Sequence, residues 1–298
     1  MTVSVTIGLP VFNGEKFIRR SIESVLSQTF RNFRLIISDN NSTDSTREIC
    51  EEYASVDKRI QIIYQDENIG GERNFFKVLE HANDEYFVWI AVDDYWAPTF
   101  LEKCINILDF DKNIAFTIGK VELVGIVDED LRSTEDDSFA KKKYKKIRMH
   151  YRRNNYYSIT GTYEEKIGHC LRMTTMLLVY SVFRTKILKE LVDDLDINIF
   201  DRLVPLLALR NGHLHVIDEI LLYRFAGDKT KNAITEYLEQ NDTLQNMFFS
   251  KVPFIKWCWK NLGKRIFLKN LDYFIKLFLS NSAFVLISII RYVILRKK

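Results

Sequence analysis

The chain is poor in cysteine: four residues, at 50, 104, 170 and 258, are spread over 298 positions and form no CxxC pair. A cysteine-built zinc site and a disulfide scaffold are therefore not expected, and the usage fits a reducing compartment. The opening MTVSVTIGLPVFNG lacks the basic stretch and apolar run of a secretory signal, so it reads as the first strand of a domain. No GxGxxG follows that strand and no GxxxxGK[ST] occurs anywhere, which removes a dinucleotide-binding first turn and a P-loop. Long apolar runs are missing too. AFVLISIIRYVIL at 283–295 has thirteen residues interrupted by Arg291, short of the roughly 20 that span a bilayer. A processive polymerase with its own membrane channel is not expected from such a chain.

What remains is ordinary for a globular protein, 47% hydrophobic and 28% charged. The first 120 residues alternate strand and helix. Strands are expected at 3–9, 33–39, 60–64 and 86–92, and helices at 15–28, 46–54, 72–81 and 99–108. Strands apolar throughout and separated by helices predict an α/β fold: a Rossmann-like, mostly parallel central sheet with helices on both faces. A second αβ portion runs from about 164 to 225, with strand-like segments at 173–182, 213–217 and 220–225 and a helix from Phe200 to Arg210. Residues 234–249 read as helical. The organisation expected is a domain at 1–230, with halves 1–110 and 111–230, followed by a helical tail at 231–298.

Two acidic segments stand out, ISDNNSTDST at 37–46 and EYFVWIAVDDYWAPTFLEKC at 85–104. Each reads as a buried strand ending on carboxylates just before a helix. The carboxyl ends of neighbouring parallel strands face one crevice, so Asp39 and the pair Asp93–Asp94 are expected to share a site. Clustered carboxylates without Cys or His suit a hard cation such as Mg²⁺ or Mn²⁺, and through it a diphosphate. The competing readings are a polar strand end for Asp39 and a plain turn for Asp93–Asp94. Asp44 fits a helix-capping role first. His213 and His215 share one strand face, but no third metal ligand accompanies them.

Charge is distributed unevenly. The net +3 divides into +9 from Lys256 onward, ten Lys/Arg against one acid, and −6 for the remainder. A basic, aromatic-rich tail on an acidic body points to an anionic partner, and a membrane surface meeting 256–298 is the first candidate. In KRIFLKNLDYFIKLFL at 264–279, Arg265, Lys269, Asp272 and Lys276 make a narrow polar stripe on an otherwise apolar helix. A helix lying in the membrane interface, a cap or dimer face within the protein, and a span starting near Leu277 all fit this pattern. Residues 128–155 pass from acidic to basic and read as a solvated loop or an anion-engaging excursion.

Taken in order, PVFNGE (Pro10 to Glu15), ISDNNSTDST (37–46), NIG (68–70) with RNF (73–75), and EYFVWIAVDDYWAPTFL (85–101) resemble the family 2 glycosyltransferases of GT-A fold. The likeness is good over about the first 110 residues and weaker to about 225. It implies metal-assisted, inverting transfer from a nucleotide-sugar donor, UDP-sugar by default, to a glycan or lipid-linked acceptor in cell-surface polysaccharide biosynthesis. Together with the basic tail, the place expected is the cytoplasmic face of a membrane, with no nucleic acid as partner.

By the same resemblance, Pro10, Phe12 and Glu15 match the loop lining the nucleotide pocket, Asp39 the carboxylate at the nucleobase, and Arg73 a basic residue near the phosphates. Asn40 and Asn41 stand where Asp-Gly is common, and Phe12 where Tyr is frequent. Asp93 matches the last Asp of the DxD metal motif and Asp94 follows it, whereas Ala91 occupies the first position of that motif. Asp201 matches the base on the acceptor side; its competing reading is a helix-terminal acid favoured by the dipole. Arg224 is read as meeting a diphosphate or a carboxylate, Trp89 as core, and Trp96 as core or a sugar-stacking ring. Ala91 also keeps open a catalytically inactive nucleotide-sugar-binding scaffold. A nucleotidyltransferase is the remaining alternative, disfavoured by the missing phosphate loop.

Overall fold

The computed structural model describes residues 3–124, 157–173, 175–192, 199–225 and 249–280. The chain divides into two units, Met1–Ala226 and Gly227–Lys298. In the first, β1 (Val5–Val11), α1 (Ile18–Leu26), β2 (Phe33–Asp39), α2 (Thr46–Val56), β3 (Ile60–Tyr64) and α3 (Gly71–Glu80) alternate as expected. They are followed by β4 (Tyr86–Trp89), β5 (Tyr95–Trp96), α4 (Phe100–Phe110), β6 (Ile114–Val124), α5 (Tyr163–Arg172) and a 3₁₀ segment (Thr175–Tyr180). The unit closes with β7 (Val182–Arg184), α6 (Thr185–Val192), α7 (Phe200–Ala208) and β8 (His213–Phe225). In the second unit, α8 (Val252–Asn261) and α9 (Lys264–Lys269) precede a helical stretch over 271–280.

The eight strands form one sheet in the order β3-β2-β1-β4-β7-β6-β8-β5. Pairing is parallel from β3 through β4. Beyond that edge the sheet is mixed: β7 runs antiparallel to both β4 and β6, β6 and β8 are parallel, and β5 is antiparallel to β8. All seven residues of β1 are buried, the signature of a strand covered on both faces. Helix α1 buries Ile18, Ser21, Ile22 and Val25, a row at helical spacing. Helix α3 approaches β1 so closely that a Cβ on Gly8 would lie 2.5 Å from the Val78 side chain. Where β7 joins the parallel half, Trp89, Phe87, Phe116 and Phe183 are fully buried, with Phe87 edge-on to Trp89 at 4.7 Å and Phe116 stacked on Phe183 at 5.1 Å. Trp89 also donates its indole N–H to the Phe75 carbonyl at 2.8 Å, so it is core, as one reading of the sequence had it.

Several local expectations change. Strand β4 stops at Trp89: after the Ile90 amide bonds to Gly8, the chain turns, with the Asp94 amide on the Ala91 carbonyl. Segment 173–182 forms a 3₁₀ turn entering the short β7 rather than a strand, and β6 was not anticipated. The segments at 213–217 and 220–225 are one strand, β8, running through register shifts opposite Gly119 and Lys120. The expected helix over 264–279 breaks at Asn270. Residues 128–155, most of 234–249, and 283–295 lie outside the described residues. Among the described residues no helix is long and apolar enough to cross a membrane.

Candidate active site

The carboxyl ends of β1 and β2 are locked together by their loops. The Asn13 amide donates to Ser42 Oγ at 2.9 Å, while Asn13 Oδ1 accepts from the Thr43 amide at 2.8 Å. The Gly14 amide donates to Thr46 Oγ1 at 2.7 Å. Asp44 accepts from the amides of Glu15 and Thr46, and Glu15 in turn accepts from the Ser45 amide at 3.2 Å. Asp44 is opposed by burial, yet its hydrogen bonds from Thr46 and Glu15 hold its pKa below the ordinary value. It is therefore a structural acid at the start of α2. Glu15, which the resemblance put at the pocket, spends one carboxylate oxygen on the same interlock.

Asp39, the last residue of β2, is fully buried. One carboxylate oxygen accepts from the Ser42 amide at 3.0 Å; the other lies 3.5 Å from Arg47 Nε and has no hydrogen-bond partner among the described residues. Arg47 itself stacks over the Tyr64 ring at 4.5 Å. An orphaned buried acceptor is costly unless something donates to it. Asn41 adopts φ 61°, the left-handed region that Asn tolerates, which explains how it replaces the glycine common there. Asn40 reaches Asn68 and the Ile69 amide, tying this loop to the turn before α3. Pro10 is buried in β1, Phe12 is 45% exposed beside it, and Arg73 is exposed in the first turn of α3.

The acidic pair sits in the turn between β4 and β5. Arg20 donates to the Asp93 carbonyl at 2.7 Å and lies over the Tyr95 ring at 4.5 Å. Asp93 is half-buried, whereas Asp94 is buried and accepts from the Phe225 amide at 3.2 Å, pinning the turn to the end of β8. Burial, then the Asp93 charge, pushes the Asp94 carboxyl up to about 7, with Arg224 opposing. Trp96, one candidate for a sugar platform, is instead 3% exposed and packed on Phe100 at 4.8 Å. Tyr95 stacks on Tyr223 at 4.8 Å next to it.

A cavity of about 300 Å³ opens nearby, lined by residues that include Glu72, Phe75, Tyr180, Phe200, Asp201 and Arg224. Asp201 is in the first turn of α7, whose N-cap is Ile199 with no side-chain cap bond, so the carboxylate is not the cap itself. Arg224 lies over the Tyr180 ring at 5.4 Å. The Tyr180 hydroxyl is pushed well above its ordinary pKa by burial, opposed by Arg224 and reinforced by Asp94, Asp93 and Asp201. Those influences put the acidic pair, Asp201 and Arg224 in one electrostatic neighbourhood. Tyr180 was not singled out from sequence: it lies inside an apolar segment, 173–182, read as a strand. Arg73, Asp39, Asp93 and Asp94 are not among the cavity's lining residues; Asp39 ends β2, paired with Val11 at the end of β1.

Among the described residues no group of three or more His, Cys, Asp and Glu side chains could hold a metal by itself. His213 and His215 do not form one; His213 has a buried, unpartnered Nδ1, and burial lowers the His215 pKa. The Asp93–Asp94 turn offers one accessible carboxylate with a second beside it. Mg²⁺ and similar hard ions need only one or two carboxylates when substrate phosphates and waters complete the shell, so the donor set fits such an ion.

Comparison with known proteins bears on the fold and the family. A TarS 1–349 structure from S. aureus with UDP aligns at TM-score 0.54 and 20% identity, covering 76% of this chain and 61% of that one. The mannosyltransferase PcManGT of Pyrobaculum calidifontis, with GDP-Man and Mn²⁺, aligns at TM-score 0.58 and 13% identity, covering 97% and 74%. At these identities the likeness is one of fold, the GT-A type. Among sequences, TuaG of Bacillus subtilis (strain 168), a glycosyltransferase named for teichuronic acid biosynthesis, is 34% identical over 120 residues, 40% of this chain and 47% of TuaG. WfgD of Escherichia coli, a UDP-Glc:alpha-D-GlcNAc-diphosphoundecaprenol beta-1,3-glucosyltransferase, is 33% identical over 122 residues, 40% of this chain and 46% of WfgD. The chain thus spans less than half the length of these two relatives. A profile of glycosyl transferase family 2 matches residues 6–192, and the chain belongs to that family.

Proposed function

We propose that this chain transfers a sugar, with inversion, from a nucleotide-sugar donor to a hydroxyl of a glycan or lipid-linked acceptor in cell-surface polysaccharide synthesis. The observation that supports the reading is a cavity lined by Asp201, Arg224 and Tyr180, whose hydroxyl also feels the charges of Asp93 and Asp94. UDP is the donor nucleotide favoured, because TarS structures hold UDP and UDP-GlcNAc and WfgD is named for UDP-Glc. The lipid-diphosphate acceptor named for WfgD favours work at the cytoplasmic face of a membrane.

In this mechanism the orphaned oxygen of Asp39 accepts from the nucleobase, and Pro10, Phe12, Glu15 and Asn41 shape the loops around it. Asp93, with Asp94 beside it, would hold Mg²⁺ or Mn²⁺, whose contribution when bound is to neutralise charge on the departing diphosphate. Arg73 and Arg224 add fixed positive charge on that side. Asp201 takes the acceptor proton as the hydroxyl attacks the anomeric carbon opposite the leaving group, a role that requires it within hydrogen-bond reach of that hydroxyl. The helix dipole favours its ionised form.

Titration calorimetry with UDP, GDP and dTDP, each with and without Mn²⁺, tests the reading. Metal-enhanced binding of one nucleotide supports it and names the donor class; no binding by any of them overturns it. Ala91 favours a second reading, an inactive nucleotide-sugar-binding subunit. Turnover that disappears with Asp93→Asn argues against that scaffold, and wild-type protein that binds UDP-sugar without turning it over argues for it.

A further inference from the structure

Aromatic rings fill the interior of the helical segment 252–280. Gly263, at φ 89°, turns the chain between α8 and α9. Phe267 then stacks on Phe274 at 4.3 Å, Trp259 meets Phe267 edge-on at 5.0 Å, and Phe254, Cys258 and Leu262 are buried. With those rings inside, a different set of apolar side chains is left outside: Leu268 is 58% exposed, Leu271 41%, Ile275 52% and Leu279 60%. Leu271, Ile275 and Leu279 recur every fourth residue and so form one row along the helix. Single exposed apolar residues are normal on a protein surface, whereas a contiguous row marks a contact.

The charges around the row say what kind of contact. Lys256, Lys260, Lys264, Arg265, Lys269 and Lys276 are all exposed, and Asp272 is the one acid from 256 to 280, so six cations stand against one anion, net +5. Pairing this segment with a second copy would bring two segments of net charge +5 together. An anionic lipid surface offers the opposite: phosphates for the cations and a shallow apolar layer for the row. Trp259, half-exposed at 45%, is of the residue type that settles at headgroup level.

We propose that Leu271, Ile275 and Leu279 insert into the headgroup boundary of an anionic bilayer, with the surrounding lysines and arginine against its phosphates. The proposal deepens the membrane location in the proposed function and rests on it for its purpose. Its test does not depend on catalysis.

The full chain is floated with phosphatidylcholine vesicles, with and without phosphatidylglycerol, beside the Leu271→Glu/Ile275→Glu variant. Both positions are exposed, so the variant is expected to fold; circular dichroism and UDP binding check that. The wild type is expected to float with the phosphatidylglycerol vesicles, to stay behind with phosphatidylcholine alone, and to be released as salt rises. The variant is expected to bind at least about tenfold more weakly. Equal flotation of variant and wild type overturns the row as the contact while leaving membrane binding intact. Failure of the wild type to float overturns the membrane contact altogether. A dimer in light scattering that the variant dissolves, with vesicle binding unchanged, assigns the row to self-association and also overturns it. Loss of UDP binding by the wild type would instead count against the transferase reading alone.

Discussion

Asp94 concentrates the electrostatics of the acidic turn, because it is buried beside another carboxylate and is compensated chiefly by Arg224 and the Phe225 amide. Its folded pKa, about 7, exceeds the ordinary 3.8. The folded state therefore holds the extra proton between those values, and stability falls as pH rises through that window. Asp94→Asn keeps an oxygen for the Phe225 amide and removes the slope. In chelator, thermal or urea unfolding is expected to find the variant more stable than wild type at pH 8, by up to about 4 kcal/mol, and nearly indistinguishable from it near pH 4. A variant less stable than wild type at pH 8 would mean the ionised carboxylate is a net stabiliser. At this scale the sequence located Asp39 at the end of a buried strand, whereas Asp93 sits in the turn four residues beyond β4. The sequence was uninformative about Tyr180, because its ring's partners, Phe75 and Arg224, lie far from it in the chain.

Elements were legible where one periodicity ran uninterrupted. Strands β2 and β3 and the parallel order around β1 follow from apolar runs bounded by helices. Segment 173–182 was not, since a short apolar run fits a buried strand and a 3₁₀ turn equally well. Strand β6 was hidden because Gly119, Lys120 and Glu122 interrupt its pattern, and it gains its identity from β7 and β8 on either side. At the entrance to α3, Gly70 holds φ 88° and ψ 153°, a region essentially reserved for glycine, just before residues that line the cavity. A Cβ there meets nothing, so backbone strain alone penalises Gly70→Ala. Urea unfolding is expected to record a loss of about 1–3 kcal/mol. A neutral result would indicate that the turn relaxes to another conformation.

At the scale of the molecule, a unit ending at Ala226 bears the candidate site, and in the second unit the described residues 249–280 are mostly helical, basic and partly apolar. The departure at Ala91 leaves Asp93 as the principal carboxylate for a cation, so metal dependence should be real but soft. Chelation is expected to weaken UDP binding by roughly tenfold, read by calorimetry, because phosphate oxygens and waters supply most of the shell. Unchanged affinity would move the diphosphate contacts to Arg73 and Arg224.

Asp201 is the residue on which the proposed chemistry turns. Release of UDP from a UDP-sugar in the presence of Mn²⁺, measured for wild type and for Asp201→Asn, isolates that residue, with UDP affinity measured alongside. The account predicts turnover falling by about 10²–10⁴ while UDP binding stays within about twofold. Equal turnover in the two proteins would contradict it, leaving Asp201 a helix-terminal acid and the base elsewhere.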